Sequence, residues 1–230
     1  MKKKRCMIFV TTMLVAGIAN ASSTLQDMHI AKVSGEQPDV AVPAGWKLAY
    51  KAVHPDGAYF FEYIPEGENI DNWRSGYLFV GRAPYPEHRK KTDLNQPKAA
   101  SIGDAMVSAI QKEVADACKG QGSFMPMSHR WNIFNGSRVS VSGGFCSKMG
   151  SAAPYGEGAI VSVIEGEEYL HQISFHWRPI SAEQREKRMP AWGDTDENII
   201  RHLQTIRATK LCGGKTAQRA DCHQPVGNGT

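Results

Sequence analysis

Three histidines stand in segments whose side chains alternate: His129 in His129–Ile133, and His171 and His176 in Tyr169–Arg178. A histidine beside a serine and a carboxylate can activate a nucleophile. Grouped with further histidines or cysteines it can hold a metal. His171 and His176 are five residues apart. On a strand an odd spacing sends side chains to opposite faces, so the two cannot share a metal without a bulge. No Cys-x-x-Cys or His-x-x-x-His spacing offers another metal set. Gly-x-Ser-x-Gly, His-Glu-x-x-His, the P-loop and Gly-x-Gly-x-x-Gly are absent as well. A dispersed triad stays open, with His129, His171 and His176 as the histidines to test. His171 falls on the aromatic side of its segment with Tyr169, Ile173, Phe175 and Trp177, where a satisfied histidine at the core margin is expected. His176 falls on the other side with Arg178 and is expected to face out. No metal, cofactor or catalytic residue is assigned.

Contact chemistry is easier to place. His88, Arg89, Lys90 and Lys91 form a basic run inside Ala83–Lys98, a polar loop with three prolines. Long loops of this kind carry function more often than short ones, and the charge suits an acidic partner. Trp73 and Arg74, just after the acidic Glu66-Gly67-Glu68, are a second candidate contact. Trp192, between two predicted helices, is a third. Trp46, Trp131 and Trp177 lie on strand faces and read as core.

The elements that must position these residues follow from periodicity. Trp46, Leu48 and Tyr50 alternate with Lys47 and Lys51 in a first strand. His54-Pro55-Asp56-Gly57 is a turn. Tyr59–Ile64 is a second strand and Tyr77–Arg82 a third. Ala99–Cys118 carries Ile102, Met106, Ile110 and Val114 at four-residue spacing, one stripe of a helix that stops at Gly120. A hairpin follows. Matching its apolar faces pairs Trp131 with Val139 through a three-residue loop, Phe134-Asn135-Gly136. Ala159–Ile164 and Tyr169–Arg178 form another hairpin. Ser181 and Gln184 suit a capping box on a short helix. Asp194 caps a last helix with the stripe Ile199, Ile200, Leu203 and Ile206. Strands joined by hairpins, with no repeating strand–helix–strand crossover, predict an α+β fold. It is a largely antiparallel sheet of about seven strands, with one long helix and a C-terminal helix packed on it.

The ends of the chain read differently. Lys2, Lys3, Lys4 and Arg5 precede an apolar run to Ala19, and Ala19-Asn20-Ala21 is a small-residue cleavage site. This is a secretory signal peptide over 1–21, cut after Ala21. Its apolar run is too short to span a bilayer. A loose arm over 22–42, one domain over 43–212 and a flexible polar tail over 213–230 complete the expected organisation. The chain holds 27 basic and 23 acidic residues. All four basic residues of 1–21 leave with the leader, so the remainder is electrically neutral with histidine uncharged. Net charge therefore gives no case for nucleic acid or an anionic membrane as partner. Hydrophobic residues at 41% and charged residues at 22% are ordinary for a globular protein.

Four cysteines remain: Cys118, Cys146, Cys212 and Cys222. An even count in an exported chain reads as two disulfides. Four cysteines allow three pairings. Cys118–Cys146 would tie a helix end to a strand end, and Cys212–Cys222 would close a small loop in the tail; this pairing is favoured.

Pro43-Ala44-Gly45-Trp46 opening a strand, then a hairpin, a long helix, a run of strands and a closing helix resembles the PsbP-like fold group, to which small exported bacterial proteins of the DcrB type belong. The resemblance covers about Pro43 to Leu211. It implies a non-enzymatic accessory or binding protein and carries over no catalytic residue. The expected function is thus a periplasmic, or otherwise secreted, binding or accessory protein acting through protein–protein contact, an inhibitor or immunity protein included. Its expected partner is another envelope protein. An envelope-polymer hydrolase or a small-ligand carrier is the alternative.

Overall fold

The computed structural model describes residues 35–87, 91–93, 95, 101–187 and 195–214. The described elements run β1 (Gln37–Asp39), β2 (Trp46–Val53), β3 (Tyr59–Pro65), β4 (Tyr77–Pro84), α1 (Ile102–Cys118), β5 (Phe124–Pro126), β6 (Arg130–Phe134), β7 (Ser137–Cys146), β8 (Glu157–Glu165), β9 (Tyr169–Trp177), α2 (Ala182–Glu186), α3 (Thr195–Ala208) and β10 (Lys210–Cys212). The fold is α+β. Eight strands form one antiparallel sheet in the order β2-β3-β4-β9-β8-β7, and β5 and β6 both pair with the outer side of β7. β1 and β10 form a separate antiparallel pair.

Alternation decides what each face of the sheet carries. Along β7, Val139 and Val141 join the apolar core with Tyr63, Leu78, Val80, Ile164 and Ile173, and Ile206 of α3 and Leu211 of β10 close over it. Arg138 and Ser140 point the other way and bond Asp104 of α1. One helix therefore packs on each face.

α1 begins three residues later than its periodicity suggests. Ser101 caps it and forms a capping box with Asp104. Its buried side is Gly103, Val107, Ile110, Val114 and Cys118. The glycine lets the first turn lie against Glu165 and Ser140, which a Cβ at that position would crowd. Burying Val107, Ile110 and Val114 contributes about 1.5–3 kcal/mol each before ordering entropy is subtracted. Gly120, at φ 75°, ends the helix as expected. In α2, Ser181 accepts from the N–H of Gln184, but the Gln184 amide oxygen accepts from Ile180, so the box is only half closed.

The hairpin between β6 and β7 corrects the expected register. Phe134 pairs directly with Ser137, and Trp131 with Ser140. The loop is the two residues Asn135 and Gly136, both at positive φ (48° and 73°). That is the turn whose twist matches the strands, and Asn-Gly is its preferred sequence. Face matching did not prevail because β6 is outermost and has little core to match. Asn135 is further held by its own amide, which donates to the carbonyls of Arg207 and Thr209 at the end of α3.

The segment read as a loose arm over 22–42 contributes β1 and the fully buried Glu36. Residues 22–34 of that arm, the capping Asp194, and the tail beyond Gly214 lie outside the described residues.

Candidate functional site

Each of the three strand histidines meets a carboxylate, at three separate places. His129 Nε2 lies 3.0 Å from Asp104 Oδ1. That same oxygen accepts from Ser140 Oγ at 2.5 Å, and Asp104 Oδ2 accepts from Arg138 at 2.7 Å. Burial pushes Asp104 up, but the Ser140, Arg138 and Ser101 hydrogen bonds and the charge of Arg138 outweigh it and hold it below the usual range. The acid sits between serine and histidine. A triad needs the histidine in the middle to take the serine proton, so this set cannot activate Ser140. It fixes Arg138 instead.

His171 Nε2 lies 2.9 Å from Glu36 Oε1, with both side chains buried. The backbone N–H of Glu167 donates to Glu36 Oε2 at 2.9 Å. Arg82 crosses the same site. Its Nη1 donates to the Glu36 carbonyl and its Nε to the Gly57 carbonyl, both at 2.8 Å. Its guanidinium stacks on the rings of Tyr59 and Tyr169. Glu165, also buried, accepts from the N–H groups of Gly103 and Thr92. These bonds clamp the segment before β1 and the start of α1 to the β8–β9 turn.

His176 is a correction. It does not face out: it is buried, 3.5 Å from Glu157 and edge-on to Tyr77. The acid explains this, because Glu157 also takes Arg178 at 2.8 Å. Burial pushes Glu157 up, and the bonds from His176 and Arg178 bring it below the ordinary value.

A fourth histidine was not singled out from sequence. His202 takes the inward place on α3 beside Ile206, and Ile200 of the expected stripe is exposed. Ser162 Oγ is 3.2 Å from His202 Nε2. Ser162 is fully buried under α3, so a substrate carbonyl cannot reach its hydroxyl while α3 is packed. Burial first, and then the nearby charge of His176, lowers the His202 pKa from 6.5 to about 4. A group that stays neutral when folded but protonates when unfolded costs stability as pH falls. Stability should therefore drop by up to about 3 kcal/mol between pH 6.5 and 4. Urea midpoints of the double variant Ser162→Ala, His202→Leu should lose that slope; an unchanged slope would sink the assignment.

The contact candidates are placed as follows. Trp73 is only 6% exposed. The Arg178 guanidinium lies 3.8 Å over its ring, and Nη1 donates to its carbonyl. Arg74 beside it is exposed, with its backbone N–H bonded to Glu68. Lys91 pairs with Glu167 at 2.5 Å. His88, Arg89, Lys90 and Trp192 lie outside the described residues. Cys118 and Cys146 form the expected disulfide. Cys212 is disulfide-bonded too; Cys222 lies outside the described residues. Among the described residues no group of three or more His, Cys, Asp or Glu is placed to hold a metal, and no helix is long and apolar enough to cross a membrane.

Solved structures with a similar fold include the cyanobacterial PsbP (CyanoP) from Synechocystis sp. PCC 6803. It is 12% identical, over 81% of this chain and 98% of that one, at a TM-score of 0.45. LpqN, involved in cell envelope biogenesis of Mycobacterium tuberculosis, is 10% identical over 80% of this chain and 88% of its own, at a TM-score of 0.40. The chain weakly resembles the PsbP-like fold group. No protein-family model matches it, and no curated protein does. The likeness is one of fold and assigns no residue.

What the sheet leaves open is its outer edge. β6 pairs with β7 alone among the described strands. Trp131 and Ile133 project side by side from one face of it, 39% and 40% exposed. Trp131 is not core, contrary to its alternation. Its ring lies 4.1 Å from the Arg138 guanidinium, which Asp104 holds in place. The opposite edge, β2, also exposes Leu48, Tyr50 and Val53. It is guarded by a bulge between Leu48 and Tyr50 and by Lys47 and Lys51, two devices that discourage strand addition. β6 carries neither.

Proposed function

We propose that the protein is an exported accessory protein that works by binding another envelope protein. The observation that carries this reading is the β6 patch, an exposed tryptophan held in place by the buried Arg138, which pairs with the half-buried Asp104. A large aromatic fixed before binding loses little entropy on contact, and residues of this kind dominate binding energy. The histidine–carboxylate pairs, by contrast, hold strands and helices together. Export is supported by the leader-like residues 1–21 and by the buried disulfide, which persists in oxidising compartments. The basic run His88–Lys91, Arg74 and Trp192 remain further contact candidates.

The test is cross-linked capture from envelope extract with the purified, disulfide-intact protein. One stoichiometric partner is expected, and Trp131→Ala should weaken its capture by about thirtyfold. Capture that is indifferent to Trp131→Ala would move the contact elsewhere on the molecule.

A further inference from the structure

We infer that β6 takes up an extended segment of the partner as an added strand, and that this segment alternates acidic and apolar residues. The inference rests on the protein-binding reading above and specifies the chemistry of its partner.

The backbone is set up for it. In a two-residue hairpin the residues flanking the loop, here Phe134 and Ser137, exchange both backbone hydrogen bonds. Alternation makes Asn132 with Val139, and Arg130 with Val141, the next such pairs. The N–H and C=O groups of Trp131 and Ile133 therefore point away from the sheet. One contact confirms the direction: the Ile133 N–H is met by the exposed amide oxygen of Asn132 at 2.8 Å. A side chain from the same strand caps that donor, and an incoming strand would replace it.

The side chains set the pattern. Trp131 and Ile133 occupy one face of β6 and offer apolar contact. Arg130, exposed, occupies the other, and Arg207 of α3 reaches the same side over the Phe134 ring. A strand laid along this edge meets apolar surface with every second residue and positive charge with those between. The charge bias extends beyond β6. From Lys119 to Gly156 the chain contains Lys119, Arg130, Arg138 and Lys148 and no aspartate or glutamate. Two copies of this chain brought together at β6 would bring their Arg130 side chains to one edge, and the stretch 119–156 that forms it holds no acid to answer them. The complement is an acidic segment of a different protein.

The experiment uses fluorescently labelled seven-residue peptides and the purified protein with its disulfides intact. One peptide alternates glutamate and valine, one alternates lysine and valine, and one has the composition of the first with the two residue types in separate blocks. The alternating acidic peptide should bind at least about tenfold more tightly than the other two. It should slow hydrogen exchange at the Ile133 amide. Ile133→Pro removes that outward donor but no bond to β7, since proline is tolerated on an edge strand with its nitrogen facing solvent. It should weaken the acidic peptide at least about tenfold at unchanged circular dichroism. Arg130→Glu, which cannot disturb the ladder, should weaken the acidic peptide and favour the lysine one. Equal binding of all three peptides, or binding insensitive to both variants, overturns the inference, as does a dimer that Ile133→Pro dissociates. In the envelope capture, a partner retained by Ile133→Pro overturns strand addition and leaves the binding function standing. Absence of any captured partner overturns the function itself.

Discussion

Removing the Cys118–Cys146 bridge should lower stability by about 3–4 kcal/mol, the loop-closure entropy of a ring this size. The two cysteines are 28 residues apart, and the bond joins the last turn of α1 to the end of β7. Both residues are buried, so alanine, which adds no polar atom to the interior, is the better replacement. Without the bridge α1 keeps its capping box and the packing of Val107, Ile110 and Val114. Its far end, however, has Lys119, exposed, and Gly120 beyond it, and nothing else that binds covalently. For a domain of this size the loss corresponds to a fall in melting temperature of about 7–15 °C. Urea unfolding of the Cys118→Ala, Cys146→Ala variant checks it. The wild-type protein measured with reductant should move toward the same midpoint. Equal midpoints for variant and wild type without reductant would mean that the bridge contributes nothing.

That bridge was legible in the sequence because an even set of cysteines in a chain expected to be exported leaves few pairings. The hairpins of β2 with β3 and of β8 with β9, the long helix, and the aromatic face of β9 were legible for a related reason. Each is a local pattern of period two or near four, repeated over enough residues to stand out. β1 and β10 are three residues each and pair Gln37 with Cys212. No local period marks such a pair. The β6 register failed for the opposite reason. The face-matching rule assumes a core on one side, and an outermost strand lets the Asn-Gly turn decide.

The candidate site was less legible than the fold. His176 was expected to face out, and Arg82, Arg138 and Glu165 were not singled out, yet all four are buried with partners. One signal was available: Arg82 ends an apolar strand and Glu165 follows one, so each sits where the alternation requires an inward side chain. Glu36 offered no such signal, because its partners Glu167 and His171 are more than a hundred residues away. Trp131 was misplaced since alternation gives a side chain's face and says nothing about whether that face is covered.

Glu36 carries the largest expected effect in the buried network. Burial alone pushes its carboxyl up. The His171 hydrogen bond and charge, with the N–H groups of Glu167 and Glu168, outweigh burial and hold it at about 2, against 4.5 ordinarily. A carboxyl depressed on folding stabilises above its unfolded value and loses that contribution as pH falls through the folded one. The window is therefore about pH 4.5 down to about 2, and the contribution is about 3 kcal/mol. Glu36→Gln leaves His171 beside a neutral amide, and breaking a buried ion pair from one side costs about 3–5 kcal/mol. At neutral pH the variant should unfold at a clearly lower urea concentration. As pH falls from 5 toward 2.5 the gap to wild type should narrow, because wild-type Glu36 becomes protonated while glutamine does not titrate. A gap of constant size across that range would show that shape, not charge, holds the segment. Gly166→Ala gives an independent approach to the same clamp. A Cβ there would overlap Glu36 Oε1, so the carboxylate must leave its donors. The alanine variant should lose the same acid limb with every charge still present, which separates loss of the charge from loss of its position.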